Sequence, residues 1–210
     1  MFPANIKNII FDFGGVIYDI APEKTIEAFK LLDINKFDSF DKFLTMHADD
    51  SLFTDIETGK ISPDEFRASI KAMCNFPIND KAVDFAWNAM LVGYVRERLD
   101  LLIELKSKYR TFLLSNTNRI HWEYFSNQLK DFGYGGLHEL FEKTYYSHEM
   151  GMKKPDIEIF QYVLKDSGLI NRETLFLDDN SSNVSAALAA GIPSIRITKE
   201  LDMLSVFERV

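Results

Sequence analysis

The sequence predicts an α/β fold, a doubly wound parallel sheet with an inserted all-helical domain. Two observations predict it. Short apolar runs alternate with helical patterns along most of the chain, which is typical of βαβ units. One long N-terminal block breaks this alternation with amphipathic stretches and no convincing strand. The chain has 210 residues, 46% of them hydrophobic, which suits one core carrying a sizeable insertion.

The predicted strands are short and end at glycine or polar residues, as buried parallel strands do. They are Ile6–Phe13, Thr111–Leu114, Lys143–Tyr146, Thr174–Leu177 and Ser194–Ile197. Helical patterns lie between the later strands, at Arg96–Lys108, Ile157–Leu164 and Val184–Ala190. Pro155 precedes the second helix, and Gly168 and Gly191 follow the second and third. Right-handed crossovers would then place helices on both faces and ligands at the carboxyl ends of the strands.

Residues 19–92 are predicted to form the helical insertion, so that residues 1–18 and 93–210 together form the core. The amphipathic stretches of the insertion are Glu23–Leu32, Asp38–Met46, Pro63–Met73 and Lys81–Val92. The insertion holds 8 Lys/Arg and 14 Asp/Glu, and it carries most of the net charge of −8. This acidic balance, without any Lys/Arg run, disfavours nucleic-acid binding, which needs a basic face.

The composition excludes further classes of protein. One cysteine, Cys74, excludes a disulfide framework and a cysteine-rich zinc site, and it suits a reducing compartment. The start, MFPANIKNIIFDF, lacks the basic and apolar regions of a signal peptide. No apolar run approaches the roughly 18 residues needed to span a bilayer. We therefore expect a cytoplasmic protein, a monomer or homodimer, without membrane or nucleic-acid partners.

Chemically capable side chains stand where four of the predicted strands end or soon after. They are, in chain order, Asp12, Ser115 with Asn116, Lys154, and Asp178 with Asp179. Each alone has an ordinary explanation as a cap, a turn or surface charge. Four such strand ends together are hard to explain as capping. Adjacent carboxylates also repel one another, and a cation would offset that repulsion.

The combination of these residues points to phosphoryl transfer. Asp12 and Asp179 can hold a hard cation such as Mg²⁺, which prefers carboxylate oxygens and water. Ser115, Asn116 and Lys154 can hold the oxygens of an anion, assisted by a helix N-terminus behind the Ser-Asn turn. A carboxylate nucleophile beside a cation and a lysine favours a reaction through an aspartyl-phosphate.

The segments FDFGGV, LLSN, GMKKPD and LFLDDN, in this order and near these spacings, resemble the four motifs of the haloacid dehalogenase superfamily. The helical insertion resembles the first-type cap domain of that superfamily, so the resemblance covers the whole chain and implies a Rossmann-like core. It implies that Asp12 is the nucleophile and that Ser115 and Lys154 bind the phosphoryl group. The implied Mg²⁺ ligands are Asp12, Asp178, Asp179 and the backbone carbonyl of Gly14.

A narrower resemblance concerns the segments LSNTNRIH, GMKKP and FLDDN. They resemble a bacterial branch that includes α-D-glucose-1-phosphate phosphatase. Gly14 stands where most phosphatases of the superfamily carry a second aspartate, which acts as general acid and base. Proton transfer, worth roughly 10²–10⁴-fold in rate, must then be absent or supplied elsewhere. Asn183 stands where many members carry a further acid.

The expected function is that of a Mg²⁺-dependent phosphatase acting on a small phosphorylated metabolite, with a sugar phosphate as the candidate. One alternative is a 2-haloacid dehalogenase, which uses the same aspartate without a metal. Asp178 and Asp179 argue against it, because an unneutralised acidic pair would repel a carboxylate substrate. The other alternative is a non-catalytic protein that binds phosphorylated metabolites. Gly14 and Asn183 favour that reading, whereas the intact Asp12 and Lys154 oppose it.

Overall fold

The computed structural model describes residues 5–34 and 51–208. The strands of these segments are β1 (Asn8–Phe11), β2 (Tyr18–Ile20), β3 (Leu91–Tyr94), β4 (Arg110–Ser115), β5 (Lys143–Tyr146), β6 (Thr174–Asp178) and β7 (Ser194–Arg196). Five of them form one parallel sheet in the order β5-β4-β1-β6-β7, and β2 pairs with β3 in an antiparallel ribbon. The predicted fold class is therefore confirmed.

The helices of the described segments, in chain order, are α1 (Pro22–Leu31), α2 (Ser51–Glu57), α3 (Pro63–Ala72), α4 (Asp80–Asn88), α5 (Arg96–Lys106), α6 (Arg119–Gln128), α7 (Ser147–Met150), α8 (Ile157–Asp166), α9 (Ser181–Ala189) and α10 (Met203–Phe207). Short 3₁₀ turns lie at Leu129–Phe132, Leu137–Glu139 and Asn171–Glu173. Side-chain caps begin several helices. Asn118 accepts a hydrogen bond from the backbone N–H of His121, and Ser62 forms a capping box with Glu65.

The sheet is covered on both faces because β1 alternates its side chains between two clusters. Ile9 and Phe11 belong to the cluster that includes α5, α6 and α10. Ile10 belongs to the cluster on the other face, which includes α8 and α9. A strand whose successive side chains are all apolar is buried on both faces, which is the pattern of a central parallel strand. β1 therefore lies at the middle of the core, and its carboxyl end opens toward the site.

Helices α1 to α4 lie between β2 and β3 in the chain and have a hydrophobic cluster of their own. Trp87, Phe29, Phe53 and Phe66 are fully buried in it, and Trp87 lies 5.3 Å from Phe53 and 5.0 Å from Phe66 between ring centroids. Ile120 of α6 joins this cluster from the core side. The helical block is thus packed internally and also against the start of α6.

Several boundaries differ from the sequence prediction. Residues 19–92 were expected to contain no strand, but β2 and β3 form a ribbon at the two ends of this block. The predicted helix Lys81–Val92 stops at Asn88, and β3 begins at Leu91. Both strands have only three or four residues, too few to show a clear period of two. The predicted helix Asp38–Met46 lies outside the described residues.

The remaining predicted strands and core helices are present within a few residues of the predicted bounds. None of the helices in the described segments is long and apolar enough to cross a membrane.

Candidate active site

The parallel register brings the ends of three strands together around Asp12. Phe11 is opposite Leu113 of β4 on one side and opposite Leu177 of β6 on the other. The backbone N–H of Asp12 donates to the carbonyl of Leu177 at 2.8 Å. Because Asp12 follows Phe11 directly, its carboxylate emerges between the ends of β4 and β6. The position of Asp12 therefore follows from the register of the parallel strands. The alternation of strands and helices in the sequence predicts such a meeting of strand ends.

Lys154 is the centre of the site, and its side chain is 1% exposed. Its Nζ atom donates to Oδ1 of Asp12 at 2.5 Å, to Oδ2 of Asp178 at 2.8 Å and to the carbonyl of Leu114 at 2.8 Å. An ammonium group has three donors, so all three are used. Contact between Lys154 and a bound phosphoryl group would require one of these partners to be exchanged.

Asp178 is fully buried and is held from several directions. Its Oδ1 accepts from the backbone N–H of Asn180 at 2.8 Å and from the side-chain amide of Asn183 at 3.1 Å. Its Oδ2 accepts from Asn183 at 3.0 Å and from Lys154. Asn183, which stands where many members of the superfamily carry a further acid, therefore contacts both oxygens of Asp178. A neutral amide is suited to this position because it donates to a carboxylate that another acid would repel.

The electrostatics of the cluster favour added positive charge. The pKa of Asp12 is raised to about 7, chiefly by burial; Lys154 opposes this rise, and the carboxylates of Asp178 and Asp179 add to it. Burial, followed by the neighbouring Asp178, also raises the pKa of Asp179. Burial alone would lower the pKa of Lys154, but the adjacent Asp12 and Asp178 outweigh it and raise the pKa. Three carboxylates thus share one ammonium in a largely desolvated space.

The donor set fits a hard divalent cation. Asp12, Asp178 and Asp179 each offer a carboxylate oxygen, and these oxygens lie within 4.8 Å of one another. Asp179 is the most exposed of the three, so its carboxylate can reach a cation that keeps several waters. The expected divalent-cation site is therefore supported by the chemistry of its donors. A ligand role for the carbonyl of Gly14 stays a prediction.

Ser115 and Asn116 lie at the end of β4, and their side chains differ in their hydrogen bonds. Ser115 is 3% exposed, and its hydroxyl has only a long contact of 3.5 Å with the carbonyl of Asn116. The Asn116 side chain donates to the carbonyl of Lys154 at 2.8 Å and accepts from its backbone N–H at 2.9 Å. Asn116 thus fixes the Lys154 backbone. The predicted contacts of Ser115 and Asn116 with substrate stay predictions.

Of the two glycines that follow Asp12, Gly15 leaves no space for a side chain, whereas Gly14 leaves some. Gly15 has a φ of +73°, and a Cβ placed on it would lie 2.5 Å from Oδ2 of Asp179. Gly14 lies outside the left-handed region, and its Cβ would lie 3.3 Å from the Cδ1 atom of Ile20, a flexible side-chain end. A glycine is therefore required at position 15 for the backbone to pass this close to Asp179. At position 14 a small side chain fits if the end of the Ile20 side chain moves slightly.

We expect Gly15→Ala to displace the Asp179 carboxylate and to lower the affinity for Mg²⁺ by at least about tenfold, equivalent to ~1.4 kcal/mol. The added methyl group cannot coexist with Asp179 in its present position, and the positive φ adds strain. Gly14→Ala is the matched control, because it adds the same methyl one residue away at an ordinary φ. Titration of Mg²⁺ by isothermal calorimetry measures both; equal affinities in the two variants would contradict the assigned role of Gly15.

Sequence reasoning missed several residues that hold the site in place. The Ser147 hydroxyl, fully buried after β5, accepts from the backbone N–H of Thr117 and donates to its carbonyl, both at 2.9 Å. The ring of His121 stacks on Trp87 at 4.7 Å. Its Nδ1 lies 3.2 Å from the Asn118 amide and its Nε2 lies 3.1 Å from the Trp87 carbonyl. A serine directly after an apolar strand was the available signal for Ser147. Of the two partners of His121, Asn118 is local in sequence, whereas Trp87 comes from a distant helix.

A cavity of about 180 Å³ opens beside this edge of the sheet. Its lining is largely apolar, with Phe13, Ile20, Met90, Leu91 and Phe125 among the wall residues. The polar part of the lining comes from the end of β4 and from α2: Ser115, Asn116, Thr117 and Glu57. A group bound at the end of β4 could therefore extend into this cavity.

A parallel sheet with helices on both faces, and an acidic cluster around a buried lysine at its carboxyl edge, together define a Rossmann-like hydrolase with a divalent-cation site. A family model for haloacid dehalogenase-like hydrolases matches residues 6–191. The chain belongs to this family, as the four sequence motifs predict.

Relatives with known structures or names agree with this assignment. A D-ribitol-5-phosphate phosphatase of Bacteroides thetaiotaomicron is 35% identical over 196 residues, which is 91% of each chain. A haloacid dehalogenase family enzyme of the same organism, solved in complex with magnesium and inorganic phosphate, is 38% identical with a TM-score of 0.86, covering 96% of this chain and 99% of that one. A solved structure described as a predicted haloacid dehalogenase-like family hydrolase of Porphyromonas gingivalis is 31% identical with a TM-score of 0.87, covering 98% of each chain.

These comparisons correct the narrower resemblance. They support the superfamily, but the named bacterial relative acts on a sugar-alcohol 5-phosphate and is not an α-D-glucose-1-phosphate phosphatase. The motifs LSNTNRIH, GMKKP and FLDDN contain Asn116, Lys154 and Asp178, which lie together at the carboxyl edge of the sheet, whereas the apolar wall of the cavity comes from other segments. They therefore carry little information about the part of the substrate that leaves.

Proposed function

We propose that this enzyme is a Mg²⁺-dependent phosphatase that hydrolyses a small phosphorylated metabolite through an aspartyl-phosphate. The observation that carries the proposal is the placement of Lys154 between Asp12 and Asp178, with Asp179 in the same carboxylate cluster. This arrangement puts a nucleophilic carboxylate, a fixed cation and ligands for a divalent cation around one point. The magnesium and phosphate found in a similar enzyme support it.

In the first step a carboxylate oxygen of Asp12 attacks phosphorus in line with the departing alcohol, so that the P–O bond to the alcohol breaks. Lys154 holds Oδ1 of Asp12 in position, and we expect the phosphoryl oxygens to take over one of its hydrogen bonds. We expect the Ser115 hydroxyl to donate to a phosphoryl oxygen. In the second step water attacks phosphorus, the bond to Asp12 breaks, and inorganic phosphate is released.

Mg²⁺ bound by Asp12, Asp179 and the Gly14 carbonyl would neutralise negative charge on the phosphoryl oxygens. Asp178 is proposed as a ligand of lesser importance, because Lys154 and Asn183 already occupy its oxygens. Its main effect is then to position Lys154.

The cavity beside the site supports a proposal for the substrate class. A volume of about 180 Å³ suits a leaving group the size of a small sugar or polyol. Its polar residues lie on the side of β4 and α2, whereas Phe13, Leu91 and Phe125 give it an apolar wall. We propose a sugar-alcohol or sugar phosphate as the substrate, in line with the D-ribitol-5-phosphate phosphatase to which the chain is similar.

We further propose that residues 19–92 act as a cap on a core made of residues 1–18 and 93–210. Two contacts support this division. The Lys153 ammonium donates to the Thr54 hydroxyl at 3.1 Å and lies 3.7 Å from the Glu57 carboxylate. Gly59, with a φ of +66°, passes so close to the backbone of His148 that a Cβ on it would lie 2.1 Å from the carbonyl oxygen. The cap thereby covers the cavity and limits the entry of water.

The test is hydrolysis of p-nitrophenyl phosphate and of a panel of sugar and polyol phosphates, with and without Mg²⁺. We expect Mg²⁺-dependent release of phosphate, with kcat/KM highest for a small polyol or sugar phosphate. Release of halide from a 2-haloacid without metal would instead support the dehalogenase alternative, which the buried acidic cluster disfavours.

Mg²⁺ should also stabilise the fold, because it relieves repulsion within the carboxylate cluster. At a concentration about 100 times its Kd, a ligand adds about 2.7 kcal/mol to the free energy of unfolding. For a chain of this size that corresponds to a rise in Tm of roughly 5–10 °C. Differential scanning calorimetry with Mg²⁺ and with EDTA measures it.

Asp179→Asn should lose most of this rise in Tm. Asp100→Asn is the matched control, since it removes the same charge from an exposed position on α5 and should keep the full effect. A rise that is the same in both variants would place the cation elsewhere.

A further inference from the structure

Release of an alkoxide needs a proton, and Gly14 has no side chain that could supply one. Two other candidate donors near the site are less well placed to supply it. Asp19 is paired with Arg98 at 2.7 Å and lines a different cavity. Both ring nitrogens of His121 are engaged, one with Asn118 and one with the Trp87 carbonyl. A carboxyl group that borders the cavity beside Gly14 is therefore the better candidate.

Glu57 is such a group. Among the described residues that line the cavity, it is the sole carboxyl, and the same cavity is bordered by Gly14, Ser115 and Asn116. Its side chain is 13% exposed. Glu57 ends α2, whose Thr54 is hydrogen-bonded to Lys153 of the core. The carboxyl is thus presented to the cavity by a helix that is fastened to the phosphoryl end of the site.

We propose that Glu57 is the general acid and base of the reaction, a role that rests on the proposed phosphatase function. In the first step the Glu57 carboxyl gives its proton to the leaving oxygen as the P–O bond to the alcohol breaks. In the second step the Glu57 carboxylate takes a proton from the attacking water as the bond between phosphorus and Asp12 breaks. The carboxyl is restored at the end of each turnover, so protons balance.

Lys153 fastens the helix that carries Glu57. Its ammonium lies 3.7 Å from Oε2 of Glu57 and donates to the Thr54 hydroxyl at 3.1 Å, so it holds the end of α2 against the core. The pair also spans the helical block and the core, so the acid reaches the cavity when these two parts are in contact.

The experiment compares Glu57→Gln with wild type on two classes of substrate. Glutamine keeps the shape of the side chain but cannot exchange a proton. For D-ribitol 5-phosphate, or the fastest primary alkyl phosphate of the panel, kcat/KM should fall by about 10²-fold or more. For p-nitrophenyl phosphate, whose leaving group needs no proton, kcat/KM should change by less than about threefold, since kcat/KM reports only the steps through alcohol release.

A second readout follows from the water step. With p-nitrophenyl phosphate, Glu57→Gln should show a burst of nitrophenolate in rapid-mixing kinetics, because hydrolysis of the aspartyl-phosphate has lost its base. Glu57→Asp, which keeps an exchangeable proton, should recover part of the loss on the alkyl phosphate. Retained activity on p-nitrophenyl phosphate reports that the variants are folded.

Lys153→Met is the matched control, because it breaks the same ion pair and leaves the carboxyl. It should lower kcat/KM for both substrates by a similar factor. The proposal is wrong if Glu57→Gln lowers kcat/KM for both substrates by a similar factor, or leaves both values unchanged. Glu57 would then only hold α2 against the core or line the cavity. Failure of the proposed function is distinguishable, since wild type would then show no Mg²⁺-dependent turnover of either substrate.

Discussion

Replacement of Asp12 by asparagine is expected to lower kcat by at least about 10³-fold, which corresponds to ~4 kcal/mol of activation free energy. An amide is a poor nucleophile, and it cannot form the acyl-phosphate bond. The change also removes one of the three carboxylates that can hold the cation. The assay is Mg²⁺-dependent phosphate release under saturating substrate.

The fold of Asp12→Asn should remain intact. Asparagine has nearly the same volume, and its carbonyl oxygen can still accept the hydrogen bond from Lys154. Removal of one charge from a crowded buried cluster also relieves repulsion. A Tm within a few degrees of wild type would show that lost activity is not lost structure. Retention of a tenth of the wild-type rate would contradict the nucleophilic role.

The largest effect on stability is expected for Lys154→Met. Methionine preserves most of the aliphatic stem but leaves Asp12 and Asp178 buried without their cation. Breaking a buried ion pair by removal of one partner costs about 3–5 kcal/mol. For a chain of this size the expected fall in Tm is roughly 10 °C. Activity should be lost as well, because Asp12 loses the group that orients it.

Lys153→Met is the control for this change, since it removes the neighbouring lysine, whose nearest carboxylate is 3.7 Å away. An ion pair of this length that is partly open to solvent contributes about 1 kcal/mol or less. Thermal unfolding in EDTA should therefore separate the two variants clearly. Mg²⁺ should restore part of the stability of Lys154→Met, because the cation replaces the missing positive charge. Equal Tm values for the two variants would mean that the buried pairs do not stabilise the fold.

The order of elements and the meeting of the candidate residues at one edge of the sheet were predictable from the sequence for one physical reason. Asp12, Ser115 and Asp178 stand at the ends of apolar strands, and parallel pairing brings such ends to one edge of the sheet. Their proximity follows from register alone, without knowledge of side-chain packing.

Other features depend on contacts between distant segments and left no local pattern. Lys154 could be recognised as a candidate, but its burial between two carboxylates depends on the Asn116 amide that fixes its backbone. The place of Glu57 beside the cavity depends on how α2 packs on the core, since Glu57 belongs to an ordinary acidic helix end. The β2–β3 ribbon joins residues some 70 positions apart in the chain, and its strands are too short to show a period.

The central claim is that Asp12 becomes phosphorylated during turnover. The direct measurement is mass spectrometry of enzyme quenched in acid during steady-state hydrolysis of p-nitrophenyl phosphate with Mg²⁺, followed by peptide mapping. The account predicts a phosphoryl adduct on the peptide that contains Asp12, absent from Asp12→Asn and more abundant in Glu57→Gln. An adduct on another residue, or active enzyme with no adduct in Glu57→Gln under the same quench, would contradict it.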